Sequence, residues 1–141
     1  MAATPIYPVR ATERLTLGAT AIPALLVRPE APGPRPAVLL QHGYGVDKAS
    51  MLPLAQLMAG HGFIALLPDG WGHGERFPQS GPSWMTELNA DYFLTVLRHT
   101  VDEMRLGLDA LAALPDARAD ALLTVGFSMG AVAALMLGVR D

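Results

Sequence analysis

The sequence predicts a three-layer α/β/α fold, in which helices cover a mostly parallel sheet that carries an antiparallel hairpin at its N-terminal end. Three short apolar runs lack the alternation of half-exposed strands: residues 37–43 (AVLLQHG), 63–70 (FIALLPDG) and 121–127 (ALLTVGF). Such runs are typical of strands buried on both faces of a parallel sheet. A helical segment follows each run, and this alternation favours parallel strands joined by right-handed crossovers.

The elements before the second run can be assigned in order. Residues 14–30 (RLTLGATAIPALLVRPE) predict two short strands around a turn at residues 18–21. Because proline donates nothing to a strand ladder, Pro23 favours a sheet edge. After the turn APGPRP and the first buried run, residues 50–62 predict a short helix that ends at its glycines.

The second half contains a long loop and two helices. Residues 70–88 are rich in glycine and proline, and loops of this length in compact domains usually carry function. Residues 89–114 predict an amphipathic helix, with apolar side chains at steps of three and four and Pro115 at its end. The helix predicted over 129–139 is apolar all round, so we expect it to be buried.

Composition narrows the function. The 141 residues have the length of one domain, residues 1–141, and the net charge of −3 without a basic stripe argues against a nucleic-acid partner. The chain has no cysteine, no convincing metal-ligand spacing and no dinucleotide fingerprint, so we expect no cofactor. A basic leader and a membrane-length apolar run are also missing, which predicts a cytoplasmic protein without a membrane partner.

The third buried run leads into Gly126-Phe127-Ser128-Met129-Gly130, a G-x-S-x-G pattern. This pattern places a serine nucleophile on a tight strand-to-helix turn, where the flanking residues nearly touch and must be glycine. The following helix N-terminus favours negative charge, and the Met129 N–H can point at an oxyanion. The alternative is an ordinary turn with a helix-capping serine.

A second oxyanion donor is available in the turn after the first buried run. The segment QHGYG offers the backbone N–H of Tyr44. This turn, the segment 69–76 and Ser128 all follow carboxyl ends of predicted strands. Ligands of open α/β sheets bind at that edge, so the three motifs predict one site.

The segments LLQHGYG, PDGWGHGER and GFSMGA resemble the N-terminal half of an α/β-hydrolase, in the esterase, dienelactone-hydrolase-like and prolyl-oligopeptidase-like branch. The resemblance starts near residue 14. It implies Ser128 as the nucleophile, the N–H groups of Tyr44 and Met129 as the oxyanion hole, and hydrolysis of a small acyl substrate through an acyl-enzyme. Four further residues in these segments are candidate substrate-binding residues: His42, Gly43, Trp71 and His73.

The chain departs from the family pattern after Ser128. In that family the acid and then the histidine follow the nucleophile, but the 13 residues after Ser128 contain no histidine and only Asp141 as an acid. The resemblance therefore implies an incomplete hydrolase fold that ends after the nucleophile helix, with little activity by itself. We expect either a second chain that supplies the C-terminal half, or self-association through an apolar edge at the Val125 strand.

Three functional hypotheses stay open at this level: a serine esterase, a non-catalytic binding module or inactive fragment, and a serine peptidase of the prolyl-oligopeptidase type. A surrogate dyad of Ser128 with His73, oriented by Asp69 or Glu75, would supply a base within this chain. The resemblance instead implies that His42 and His73 shape their loops. Three aromatic residues either line an acyl pocket or anchor the long loop: Trp71, Phe77 and Trp84.

Overall fold

A computed structural model describes residues 4–77 and 89–140. Within these ranges the chain forms one five-stranded sheet and three α-helices. No helix in the described ranges is long and apolar enough to cross a membrane. The strands are β1 (Glu13–Leu17), β2 (Ile22–Val27), β3 (Arg35–Gln41), β4 (Ile64–Pro68) and β5 (Ala117–Gly126), and the helices are α1 (Leu52–Gly60), α2 (Ala90–Ala112) and α3 (Met129–Arg140).

The sheet has the order β1-β2-β4-β3-β5. Strand β3 pairs in parallel with β4 and with β5, whereas β2 pairs in antiparallel fashion with β1 and with β4. Helix α1 packs on one face of the sheet, and α2 and α3 pack on the other. The three-layer arrangement with an N-terminal hairpin is thus confirmed.

The hairpin turn lies at residues 18–21, as predicted, but the placement of Pro23 at a sheet edge is wrong. Strand β2 has neighbours on both sides, and β1 is the edge. Pro23 is tolerated because it lies near the start of β2, one residue before the Ala24–Pro68 pair that begins the register with β4.

Strand β5 corrects the prediction of a third strand buried on both faces. It begins at Ala117, earlier than the apolar run, and it pairs only with β3 in the described part of the chain. Leu123 is 46% exposed and Val125 is 36% exposed. Helix α1 lies over β2 and β4, so it leaves this face of β5 open.

Helix α3 is buried on one side only, so the prediction of burial all round is wrong. Met129, Ala133 and Leu137 pack into the core, whereas Leu135 is 72% exposed. The reason is that α3 contacts β3, β5 and α2 through a single face. By contrast, α2 follows the prediction closely, and the Asn89 side chain caps it by accepting the Tyr92 N–H at 2.8 Å.

Candidate active site

Ser128 occupies a strained turn between β5 and α3. Its φ angle is +53°, in the left-handed region that non-glycine residues rarely adopt. A Cβ atom at Gly126 would lie 2.0 Å from the Gly130 carbonyl oxygen, and one at Gly130 would lie 2.2 Å from the Gln41 carbonyl oxygen. Both glycines are therefore required, and the turn presents an exposed Ser128 side chain.

The two predicted oxyanion positions flank this serine. Met129 is the first residue of α3, so its N–H has no acceptor within the helix. Across the site, a Cβ atom at Gly43 would lie only 3.4 Å from Ser128 Cβ, so the turn that carries Tyr44 packs directly against the serine turn. The fold thus brings together the segments for which the sequence predicts one site.

His42 is fully buried and holds two loops together. Its Nδ1 lies 2.7 Å from the Gly43 carbonyl oxygen, and its Nε2 accepts the Gly70 N–H at 2.8 Å. These bonds require a neutral ring with the proton on Nδ1. Burial lowers the pKa of His42 and favours that neutral form.

His73 connects the same two loops, with the imidazole on the segment after β4 and the backbone N–H on the turn after β3. Its Nε2 accepts the Gly45 N–H at 2.9 Å, and its Nδ1 lies 2.9 Å from the Trp71 carbonyl oxygen. Burial lowers its pKa as well. Because backbone groups occupy both nitrogens, the surrogate dyad with Ser128 is not formed.

Asp69 pairs with a lysine rather than with His73. Its carboxylate, fully buried, accepts the Lys48 ammonium at 2.8 Å, the Lys48 N–H at 2.9 Å and the Glu75 N–H at 3.1 Å. Burial lowers the pKa of Lys48, but the carboxylates of Asp69 and Glu75 outweigh this effect and raise it. Lys48 belongs to no motif that the sequence predicts for the site, although its position shortly after the QHGYG turn was an available signal.

The segment after β4 is also fastened to α2. Arg76 makes two 2.7 Å bonds to the Glu103 carboxylate. The Trp71 N–H donates to Thr100 Oγ1 at 3.1 Å, and the Trp71 ring stacks on His99 with centroids 4.6 Å apart. Trp71 therefore anchors the loop, while Trp84 lies outside the described residues.

An apolar cleft of about 410 Å³ lies beside the serine turn, between α1 and the end of β5. Among its lining residues, Phe127 is 68% exposed and Val46 is 46% exposed. A smaller pocket of about 200 Å³ next to His73 includes Phe77. In the part of the chain that the structure describes, no group of His, Asp or Glu side chains could hold a metal ion.

The sequence model of the dienelactone hydrolase family matches residues 22–141. The chain belongs to the dienelactone hydrolase family. This match confirms the resemblance that the motifs indicated. No curated protein matches the chain significantly.

Solved structures agree on the fold of this dienelactone hydrolase family member. A dienelactone hydrolase-like promiscuous phosphotriesterase from metagenomic libraries is 22% identical, with a TM-score of 0.71 over 92% of this chain and 53% of that one. TT1662 from Thermus thermophilus is 29% identical, with a TM-score of 0.69 over 94% of this chain and 52% of that one. A ferulic acid esterase from Streptomyces cinnamoneus is 17% identical, with a TM-score of 0.76 over 96% of this chain and 56% of that one. The chain therefore spans about half the length of these structures.

Proposed function

We propose that this dienelactone hydrolase family member hydrolyses a carboxylic ester or a related acyl compound, with Ser128 as the nucleophile. The observation that carries the proposal is the Ser128 turn. A serine held at φ +53° between β5 and α3 is exposed beside a helix N-terminus and packed against the Gly43 turn. A helix-capping serine would not require this strained conformation.

In the proposed reaction, Ser128 Oγ attacks the acyl carbon while a base takes its proton. The carbonyl π electrons move to oxygen, and the resulting oxyanion accepts hydrogen bonds from the Met129 and Tyr44 N–H groups. Collapse of this intermediate expels the alcohol, which takes up the proton, and water then releases the acid by the same steps. Each oxyanion donor is expected to lower the barrier by about 3 kcal/mol.

We further propose that the base and its orienting acid come from outside these 141 residues, from a further segment or a second chain. The positions of the four histidines support this. Backbone groups occupy the nitrogens of His42 and His73. His61 lies at the end of α1, and His99 stacks on Trp71.

The apolar cleft beside Phe127 is the proposed acyl site. Gly126 and Phe127, which immediately precede Ser128, line it, and its volume of about 410 Å³ suits a small acyl group. Val46 and Val125 line it, so burial of an apolar acyl chain would contribute to binding. A bulky residue in place of Val46 should therefore raise KM for long acyl chains more than for acetyl esters.

Labelling with a fluorophosphonate tests the proposal in the intact protein. The probe forms a phosphorus–oxygen bond with an activated serine and releases fluoride. We expect labelling on Ser128, no labelling of Ser128→Ala, and a loss of ester hydrolysis by at least about 10³-fold in that variant. Thr95→Ala, at an exposed hydroxyl on α2, is the matched control.

Two results would contradict the proposal. Unchanged hydrolysis by a folded Ser128→Ala variant would exclude the nucleophile. A folded intact protein whose Ser128 resists the probe would instead favour a binding module, because the strained turn would then exist without an activated serine.

A further inference from the structure

Two buried histidines connect the 42–45 turn to the 69–77 segment, because each imidazole accepts a backbone N–H from the other segment. His42, on the turn, accepts the Gly70 N–H of the segment, and His73, on the segment, accepts the Gly45 N–H of the turn. The two rings lie 5.4 Å apart. We call this arrangement the histidine clasp.

The clasp encloses the peptide group that carries the Tyr44 N–H. The Gly43 carbonyl and the Tyr44 N–H belong to one planar trans peptide and point in opposite directions. The bond from His42 Nδ1 to that carbonyl therefore restrains the Tyr44 N–H from one side. The next peptide is held at its other group, because His73 Nε2 accepts the Gly45 N–H.

We propose that His73 is a positioning residue of the oxyanion hole, acting through Gly45 to hold the Tyr44 backbone in its donating orientation. This inference rests on the proposed function. Without the His73 bond, the Tyr44 backbone would be held only at the Gly43 carbonyl, so the turn could shift at Gly45 and carry the Tyr44 N–H away from its donating position. A donor that is already oriented costs no reorganisation as the oxyanion forms, so a loosened one should lower kcat rather than weaken ground-state binding.

The surroundings of His73 keep its accepting nitrogen unprotonated. Among the described residues, the charged and titratable groups near it are His42 and Tyr44 on the turn, Asp47 just after the turn, and Asp69 and Arg76 on its own segment. Lys48 binds the Asp69 carboxylate, which leaves that carboxylate engaged elsewhere. His73 Nδ1–H donates to the Trp71 carbonyl oxygen, so Nε2 is the acceptor.

Two substitutions separate the roles of the two nitrogens. The amide of His73→Asn can replace Nδ1 and donate to the Trp71 carbonyl, but it cannot reach Gly45. The longer amide of His73→Gln can present its oxygen near the Nε2 position and accept the Gly45 N–H. His61→Asn, at an exposed histidine at the end of α1, is the matched control.

The experiment measures kcat and KM of the intact protein on p-nitrophenyl acetate, with thermal unfolding as the fold check. We expect His73→Asn to lower kcat about 10- to 100-fold with KM changed less than about 3-fold, His73→Gln to recover most of kcat, and His61→Asn to match the wild type. Wild-type kcat in His73→Asn, equal losses in both His73 variants, or an effect on KM alone would overturn the proposal.

Two further measurements separate this proposal from the proposed function. Unchanged hydrolysis in Ser128→Ala would refute the nucleophile, and the positioning role with it. ¹⁵N spectra of histidine-labelled protein test the clasp without any turnover, even where a variant fails to fold. At neutral pH we expect His73 to carry its proton on Nδ1 alone, and a protonated Nε2 would overturn the proposal by itself.

Discussion

Strands β3 and β5 run in parallel and both end at the candidate site, but only β3 is enclosed. Leu39 and Leu40 of β3 are 0% exposed, whereas Leu123 and Val125 of β5 are 46% and 36% exposed. Both sequences are apolar runs of the same kind. The difference shows that an apolar run indicates which side chains of a strand can be buried. Whether they are buried depends on the strands and helices that pack against that strand.

The largest expected effect comes from a substitution where the serine turn packs against β3. Gly130→Ala would place a Cβ atom 2.2 Å from the Gln41 carbonyl oxygen, and backbone would have to move. We expect a loss of more than about 4 kcal/mol in the free energy of unfolding. Urea denaturation followed by circular dichroism measures it.

Gly138→Ala is the control for the Gly130 substitution. A Cβ atom at Gly138, in the same helix, would meet nothing within 4 Å. We expect it to stabilise the protein by up to about 1 kcal/mol, since alanine favours the helix. Equal effects of the two substitutions would show that the serine turn is not fixed against β3.

A pair of leucine truncations tests the difference in burial directly. Leu39→Ala removes a fully buried side chain that packs against Gly107 of α2, so we expect a cost of about 3 kcal/mol in the free energy of unfolding. Leu123→Ala removes a half-exposed side chain and should cost less than about 1 kcal/mol. Similar costs at both positions would mean that β5 is as enclosed as β3 in the intact protein.

Acid should break the hydrogen bonds at the end of β3 and lower the unfolding temperature, because His42 and His73 hold the loops there through unprotonated ring nitrogens. Burial lowers the pKa of both residues below the usual value of about 6.5. Their contribution to stability is therefore complete above that value and is lost as the pH falls towards the lowered folded-state pKa values. Thermal unfolding between about pH 7 and pH 4.5 measures the loss.

The acid effect has its own control. His73→Gln should reduce the pH dependence of thermal unfolding, because the amide of glutamine does not titrate in this range. A pH profile that is identical in the wild type and in His73→Gln would show that His73 does not contribute.

The smallest expected effect concerns the open face of β5. A lysine at an edge strand disfavours pairing with another chain. We propose that copies of the chain associate through this face, and we expect Leu123→Lys to weaken that association while changing the free energy of unfolding by less than about 1 kcal/mol. Sedimentation velocity over a range of concentrations measures the association, and Arg118→Lys, at an exposed position of β5, serves as the control.

Sequence reasoning predicted the order of elements, the hairpin and the serine turn because each has a local cause. Glycine at residues 126 and 130, the Asn89 cap and the period of α2 all act within a few residues. It failed where distant parts of the chain decide the outcome. The exposure of Leu123 and the pairing of Lys48 with Asp69 depend on residues that are far away in sequence and adjacent only in the fold.

The histidine clasp has a consequence for motion. Gly45 and Gly70 lie in loops, where amide protons usually exchange quickly with solvent. Each of these N–H groups, however, donates to a buried imidazole of the other loop. If one loop moves away, the hydrogen bonds of both amides are disturbed, because each loop carries the imidazole that binds the amide of the other. The two loops should therefore open together, and their amide protons should exchange at the same slow rate, as one cooperative unit.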